Sequence, residues 1–200
     1  MKNGHAAPPR PCAGASYNSP WQTLNSLEVY KNPWIRLRED SVITPSGGKG
    51  IYSVVEAHAA IAIVPLTDDL HTWLVGQYRY PLHTYSWEIP EGGGLPDECT
   101  LQGARRELME ETGLRAARWT YLGDLYTSNC FTNEVGYVYL AEQLTPGPSQ
   151  PDATESLCVK KTPFALAWQM VQQGDIKDAL AVIALTRVYF YLKKVGRISY

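Results

Sequence analysis

Apolar and polar residues alternate through much of the stretch from Trp21 to Arg79, the period of strands with one face on a core. Leu27-Glu28-Val29-Tyr30 precedes a turn at Lys31-Asn32-Pro33, and Trp34-Ile35-Arg36-Leu37-Arg38 alternates again. Pro45-Ser46-Gly47-Gly48 breaks the chain before extended structure resumes over 51–56. Ala60-Ile61-Ala62-Ile63-Val64 has no polar position, which predicts a central strand buried on both faces. Thr67-Asp68-Asp69 turns into a further extended stretch, 71–80. After Trp87-Glu88-Ile89-Pro90, the run Glu91-Gly92-Gly93-Gly94 is expected to be loop. The period then becomes helical from about Cys99 to Thr112, with Gly113 as the stop signal. Strands are expected over 119–126, 135–141 and 157–160, with a loop rich in proline, serine and aspartate over 145–154. Two helices close the chain. The second is expected to be capped by Asp175, to carry an apolar stripe through Ala179, Ile183 and Val188, and to place Lys193 and Lys194 at its negative end. Strands flanked by helices on this plan predict an α/β sandwich with a mixed sheet, plus a small N-terminal β region.

Length and composition refine this picture. Two hundred residues suit one domain, or one compact domain with an appendage. The expected division is an arm at 1–20, small, polar and proline-rich and so disordered, then a β region at 21–57 and the main domain at 58–200. Net charge is −2 with no basic stripe, which argues against nucleic-acid binding. Cys12, Cys99, Cys130 and Cys158 are scattered, as are the four histidines, so neither a zinc site nor a disulfide framework is indicated. The N-terminus lacks an apolar stretch of signal-peptide length, and the longest central apolar run is too short to span a bilayer. A cytoplasmic protein without membrane contact is the expectation.

The helix carries the candidate chemistry. Residues three and four apart share a face, so Glu107, Glu110 and Glu111 form one narrow acidic stripe beside an apolar stripe of Leu101, Ala104 and Leu108. Like charges at this spacing repel, and they sit toward the helix C-terminus, where the dipole disfavours anions. A solvated acidic face and a site for a hard divalent cation, Mg²⁺ or Mn²⁺, both fit these three residues.

The wider segment resolves the choice. Gly92, five residues, Glu98, seven residues, then Arg106-Glu107-Leu108-Met109-Glu110-Glu111-Thr112-Gly113-Leu114 resembles the box of the Nudix hydrolases at every fixed position. The resemblance implies a loop–helix–loop that binds divalent cations and a diphosphate. It implies Glu107, Glu110 and Glu111 as metal ligands, with the backbone carbonyl of Glu91 as a further ligand. Glu98 and Arg106 would form an ion pair holding loop to helix. No Gly-Lys-Ser/Thr follows the glycines, so a P-loop is excluded, and the glycines are expected to allow tight turns and close backbone approach.

Outside the box the resemblance runs from about Trp21 to Leu192 and is to the ADP-ribose pyrophosphatase and nucleoside-diphosphate-sugar branch. Its carriers are Gln77-Tyr78-Arg79-Tyr80-Pro81, Trp87-Glu88-Ile89-Pro90-Glu91-Gly92 and Gly174-Asp175-Ile176-Lys177-Asp178-Ala179. It implies Arg79 on the diphosphate, Glu88 on metal or the terminal ribose, and Glu155 as general base, with Glu134 as rival. Glu107 and Glu111 join Glu155 in the catalytic set. It implies Trp21 and Tyr52 as a clamp for the base, and a homodimer through swapped N-terminal strands. The branch commonly has a proline about fifteen residues after the box; residues 127–134 have none, which leaves room for other nucleoside-diphosphate sugars such as GDP-mannose, and dinucleoside polyphosphates are a separate alternative. A non-catalytic module sensing ADP-ribose is a further alternative, though such modules typically lose the box carboxylates retained here.

Overall fold

In a computed structural model describing residues 18–147 and 157–199, the chain divides into two compact units between Glu56 and Ala57. The N-terminal unit is an antiparallel sheet of β1 (Gln22–Lys31), β2 (Ile35–Ile43) and β3 (Lys49–Ala57), in that order. Asn32 organises the β1–β2 turn, its Oδ1 accepting from the backbone N–H groups of Trp34 and Ile35. Arg36 bridges Glu28 and Glu56 across the sheet at 2.8 and 2.9 Å. Residues 1–17 of the expected arm lie outside the described residues.

The second unit is built on a mixed four-stranded sheet of order β7 (Glu91–Gly93), β4 (Ala60–Pro65), β9 (Val135–Pro146), β8 (Leu114–Tyr126), with β4 and β9 parallel. A second sheet has the order β10 (Cys158–Pro163), β5 (His71–Arg79), β6 (Thr84–Glu88). Period-two alternation divides β4 between two cores. Ile61 and Ile63 pack on Ala104 and Leu108 of α1 (Thr100–Thr112). Ala62 and Val64 face the other way, toward Leu185 and Val188 of α3 (Ala179–Lys194). The strand read as buried on both faces is therefore the middle of an α/β/α sandwich. Helix α2 (Phe164–Gln173) adds Phe164 and Ala167 to the α3 side.

Two local expectations are corrected. Glu91–Gly93 is strand, pairing with Ala60–Ala62 of β4, and none of Gly92, Gly93 and Gly94 has a positive φ. Ladder hydrogen bonds to the central strand override the weak strand preference of glycine. The last helix begins at Ala179 with Asp178 as N-cap, its Oδ2 accepting from Ala181 N–H at 2.7 Å, in place of Asp175. Its buried stripe is Ala181, Ala184, Leu185, Val188 and Leu192, whereas Ala179 is exposed and Ile183 half-buried. Residues 179–185 are apolar all round, so periodicity left the phase of the helix undetermined and the sheet selected it.

Candidate active site

Helix α1 presents its carboxylates differently from a solvated stripe. Glu107 and Glu111 are buried at 8% and 4% exposure, while the Glu110 side chain remains 40% exposed. The cause lies in the helix's neighbours. Leu108 and Ala104 seat it on β4, and the adjacent β7 then closes over the next face. Gly92 permits this approach, because a β carbon there would overlap the Glu107 carboxylate. Glu91 N–H donates to Glu111 at 3.1 Å, tying the strand to the helix. At the helix end Gly113 adopts φ 68°, and its N–H caps the Met109 carbonyl.

Arg106 holds the loop to the helix. Its Nε and Nη2 donate to Glu98, its Nη1 to Glu107 and Glu110 at 2.7 and 2.9 Å, and its Nη2 to the Gly93 carbonyl at 2.7 Å. All five guanidinium donors are thereby used. The hydrogen bond from Arg106 holds the Glu98 carboxyl below the usual carboxylate range. The repulsion within the acidic stripe is thus partly offset by this single cation.

A second group of carboxylates adjoins the first. Glu88 at the end of β6 is 1% exposed and receives Arg79 in a two-point contact, Nε at 2.9 Å and Nη2 at 2.6 Å. Arg79 also reaches Glu91 Oε1 at 3.0 Å, and Gln77 donates to Glu88 at 3.2 Å. The hydrogen bond to Glu88 pushes the Arg79 guanidinium pKa upward, so it stays charged. One oxygen each from Glu88, Glu91 and Asp178 lies within 4.8 Å of the others. Glu91 Oε2 is buried with no hydrogen-bond partner. Burial, then repulsion from Asp178 and Glu88, raises the Glu91 pKa well above that of an ordinary carboxyl. Arg79 and Glu88 also line a cavity of about 490 Å³.

The structure therefore brings Arg79, Glu88, Glu91, Glu98, Arg106, Glu107, Glu110 and Glu111 into one continuous network. Glu134 lies between β8 and β9, its N–H bonded to Thr132 Oγ1 at 3.1 Å, and Glu155 lies outside the described residues. Trp21 and Tyr52 meet each other edge-on in the N-terminal sheet, ring centroids 5.2 Å apart. Two features escaped sequence reasoning. Glu91 was expected to act through its carbonyl, yet its side chain is buried against Arg79. Asp178 joins the carboxylates from the far end of the chain. Its only sequence signal was membership of the segment 174–179, and nothing there revealed which strand it faces.

The donor set fits a hard divalent cation. One oxygen each of Glu88, Glu91 and Asp178 lies within 4.8 Å of the others, and Glu91 Oε2 has no hydrogen-bond partner, an all-oxygen set of the kind such a cation takes.

Comparison with known proteins identifies the family. The NUDIX domain model matches residues 56–178, and the model of the nucleoside diphosphate sugar hydrolase N-terminal domain matches 21–55. The ADP-ribose pyrophosphatase of Mycobacterium tuberculosis is 33% identical over 175 residues, 84% of this chain and 83% of that protein. The ADP-ribose pyrophosphatase of Bacillus subtilis is 30% identical over 175 residues, 86% and 94% of the two chains. A crystal structure of an ADP compounds hydrolase superposes with a TM-score of 0.81 at 25% identity, over 92% of this chain and all 100% of the other. The chain belongs to the Nudix family, as one of its pyrophosphohydrolases.

Proposed function

We propose that this enzyme hydrolyses nucleoside diphosphate sugars such as ADP-ribose with Mg²⁺, or Mn²⁺ in its place, releasing a nucleoside monophosphate and a sugar phosphate. The observation that carries this reading is the pair Glu107 and Glu111, buried against the backbone of Glu91 and Gly92. The names of the relatives and of the N-terminal domain support the substrate class. Glu107, Glu110, Glu111 and the Glu91 carbonyl would hold the cation, which supplies Lewis acidity and neutralises the diphosphate. Arg79 would release Glu91 and engage the diphosphate, its forked donors matching phosphate oxygens. Glu88 keeps Arg79 oriented and borders the space for the sugar. A water attacks one phosphorus, the bond to the bridging oxygen breaks, and that oxygen departs on the other phosphate. A carboxylate takes the water's proton, Glu155 in this proposal with Glu134 as the alternative.

A panel of ADP-ribose, ADP-glucose, GDP-mannose, UDP-glucose and diadenosine polyphosphates, assayed by phosphate release after phosphatase coupling, tests the reading. Turnover is expected on ADP-ribose with Mg²⁺, and chelation should abolish it while circular dichroism stays constant. Binding of ADP-ribose without turnover would instead indicate a sensing module. For Arg79→Ala, KM should rise by about tenfold or more, the loss of one charge-assisted contact. An unchanged KM would remove Arg79 from the substrate site.

The N-terminal unit, 21–57 in this proposal, serves dimerisation and base binding, with Trp21 and Tyr52 as stacking faces. Its β1 leaves Leu24, Leu27, Val29 and Tyr30 each more than half exposed, an apolar surface that a second copy would cover. Sedimentation should give a homodimer that persists at low micromolar concentration, and a monomer there would overturn this part. No described helix is long and apolar enough to cross a membrane, and a cytoplasmic location is proposed.

A further inference from the structure

Helix α1 and the first residues of β8 line a second cavity, of about 360 Å³. Arg105, Arg106 and Met109 come from the helix, and Arg115, Ala116 and Trp119 from the strand. At about 100° per residue, Arg105 and Met109 fall on the side of α1 opposite Glu107 and Glu111. The junction of helix and strand is tied down. Gly113 N–H donates to the Met109 carbonyl at 2.9 Å, and Gly147 N–H donates to the Gly113 carbonyl at 2.6 Å.

The positive charge of this lining is uncompensated. No Asp or Glu belongs to it. Arg106 is matched, since its donors are spent on Glu98, Glu107, Glu110 and the Gly93 carbonyl. Arg105 and Arg115 are exposed, and among the described residues neither has a hydrogen bond or an ion pair. Every other described arginine meets a carboxylate or a carbonyl oxygen. Unpaired arginines on an open surface are simply solvated. These two instead line a cavity together with apolar side chains.

The apolar part narrows the ligand. Trp119 is half-buried, and its Nε1–H already donates to the Ala116 carbonyl at 3.1 Å, so the indole offers a ligand only ring surface. Tyr139 meets that ring edge-on, centroids 6.3 Å apart, which helps to hold it. Met109 adds a soft thioether that adapts to a flat neighbour. Forked guanidinium donors match phosphate oxygens, and an indole stacks on any nucleobase. A cation is repelled by the two free arginines, and an inorganic phosphate leaves Trp119 unused. The volume lies within the range of small-molecule sites, roughly 300–1,000 Å³.

We infer that this cavity is a second nucleotide site, distinct from the carboxylate network, which takes a nucleoside monophosphate with its phosphate on Arg105 and Arg115 and its base on Trp119. The site binds and does not catalyse. It does not rest on the identity of the substrate.

The test is calorimetric titration of the full chain with AMP in the presence of a chelator, which prevents metal-dependent binding at the α1 carboxylates. AMP should bind at least about tenfold more tightly than adenosine or inorganic phosphate, since each of those lacks one half of the contact. Arg105→Gln and Arg115→Gln should each weaken AMP by about tenfold, the loss of one charge-assisted contact. Both side chains are exposed, so melting temperatures should not move. Arg79→Ala should leave the AMP affinity unchanged, and both glutamine variants should turn over ADP-ribose like the wild type. Absence of AMP binding to the wild type overturns the site, as does an affinity unmoved in either glutamine variant. Inorganic phosphate binding as tightly as AMP overturns the role of Trp119 and with it the ligand class. Loss of AMP binding in Arg79→Ala, or loss of turnover in the glutamine variants, would place the nucleotide in the active site and overturn the second site while leaving the hydrolase reading intact.

Discussion

Glu111→Gln is expected to lower kcat by roughly two to four orders of magnitude while the protein remains folded, since Lewis-acid stabilisation is worth several kcal/mol and each 1.36 kcal/mol is tenfold in rate. Glu111 is 4% exposed and accepts the Glu91 N–H at 3.1 Å. Glutamine keeps the volume and an acceptor oxygen for that N–H, so the link between β7 and α1 survives. What disappears is one negative charge where a cation is proposed to bind. Single-turnover rates at saturating Mg²⁺, with a thermal melt of the same sample, separate chemistry from folding. Wild-type turnover in the variant would refute the role given to Glu111.

Gly92→Ala should cost activity by about 100-fold through geometry alone, since a displacement on the order of 1 Å in a positioned group carries a penalty of that size. The added methyl group falls on the Glu107 carboxylate. The backbone at Gly92 cannot yield easily, because it is paired with Ile61 of the central strand. The side chain of Glu107 must therefore move, and with it the 2.7 Å contact to Arg106. Gly93→Ala is the control, because nothing lies within 4 Å of a β carbon there. A Gly92 variant as active as the Gly93 variant would show that Glu107 tolerates displacement and is not a positioned ligand.

Both predictions concern residues that the motif from Gly92 to Leu114 singles out. The helix over Thr100–Thr112, its stop at Gly113 and the central strand Ala60–Pro65 follow from periodicity and backbone preference, which are short-range properties. The ion pair of Arg106 and Glu98 is what the family resemblance implied, and it is present at 3.1 Å. The glycine run misled local reasoning, since its preference for turns is weaker than pairing with β4. The phase of α3 also escaped it, since a helix start apolar on every side gives no preferred face.

The order of residues alone determined an acidic helix close behind a glycine segment, in the spacing that carries the resemblance to the Nudix hydrolases. Those residues lie within twenty-three positions of one another, and their relation is set by helical geometry. Tertiary structure alone decided that Glu107 and Glu111 are buried while Glu110 is not, because β7 and the floor of β4 cover one side of α1. It alone brought Asp178 to Glu88 and Glu91 across ninety residues of chain, giving the cavity its acidic wall. Contacts of that kind depend on which elements pack together, and no local period records them.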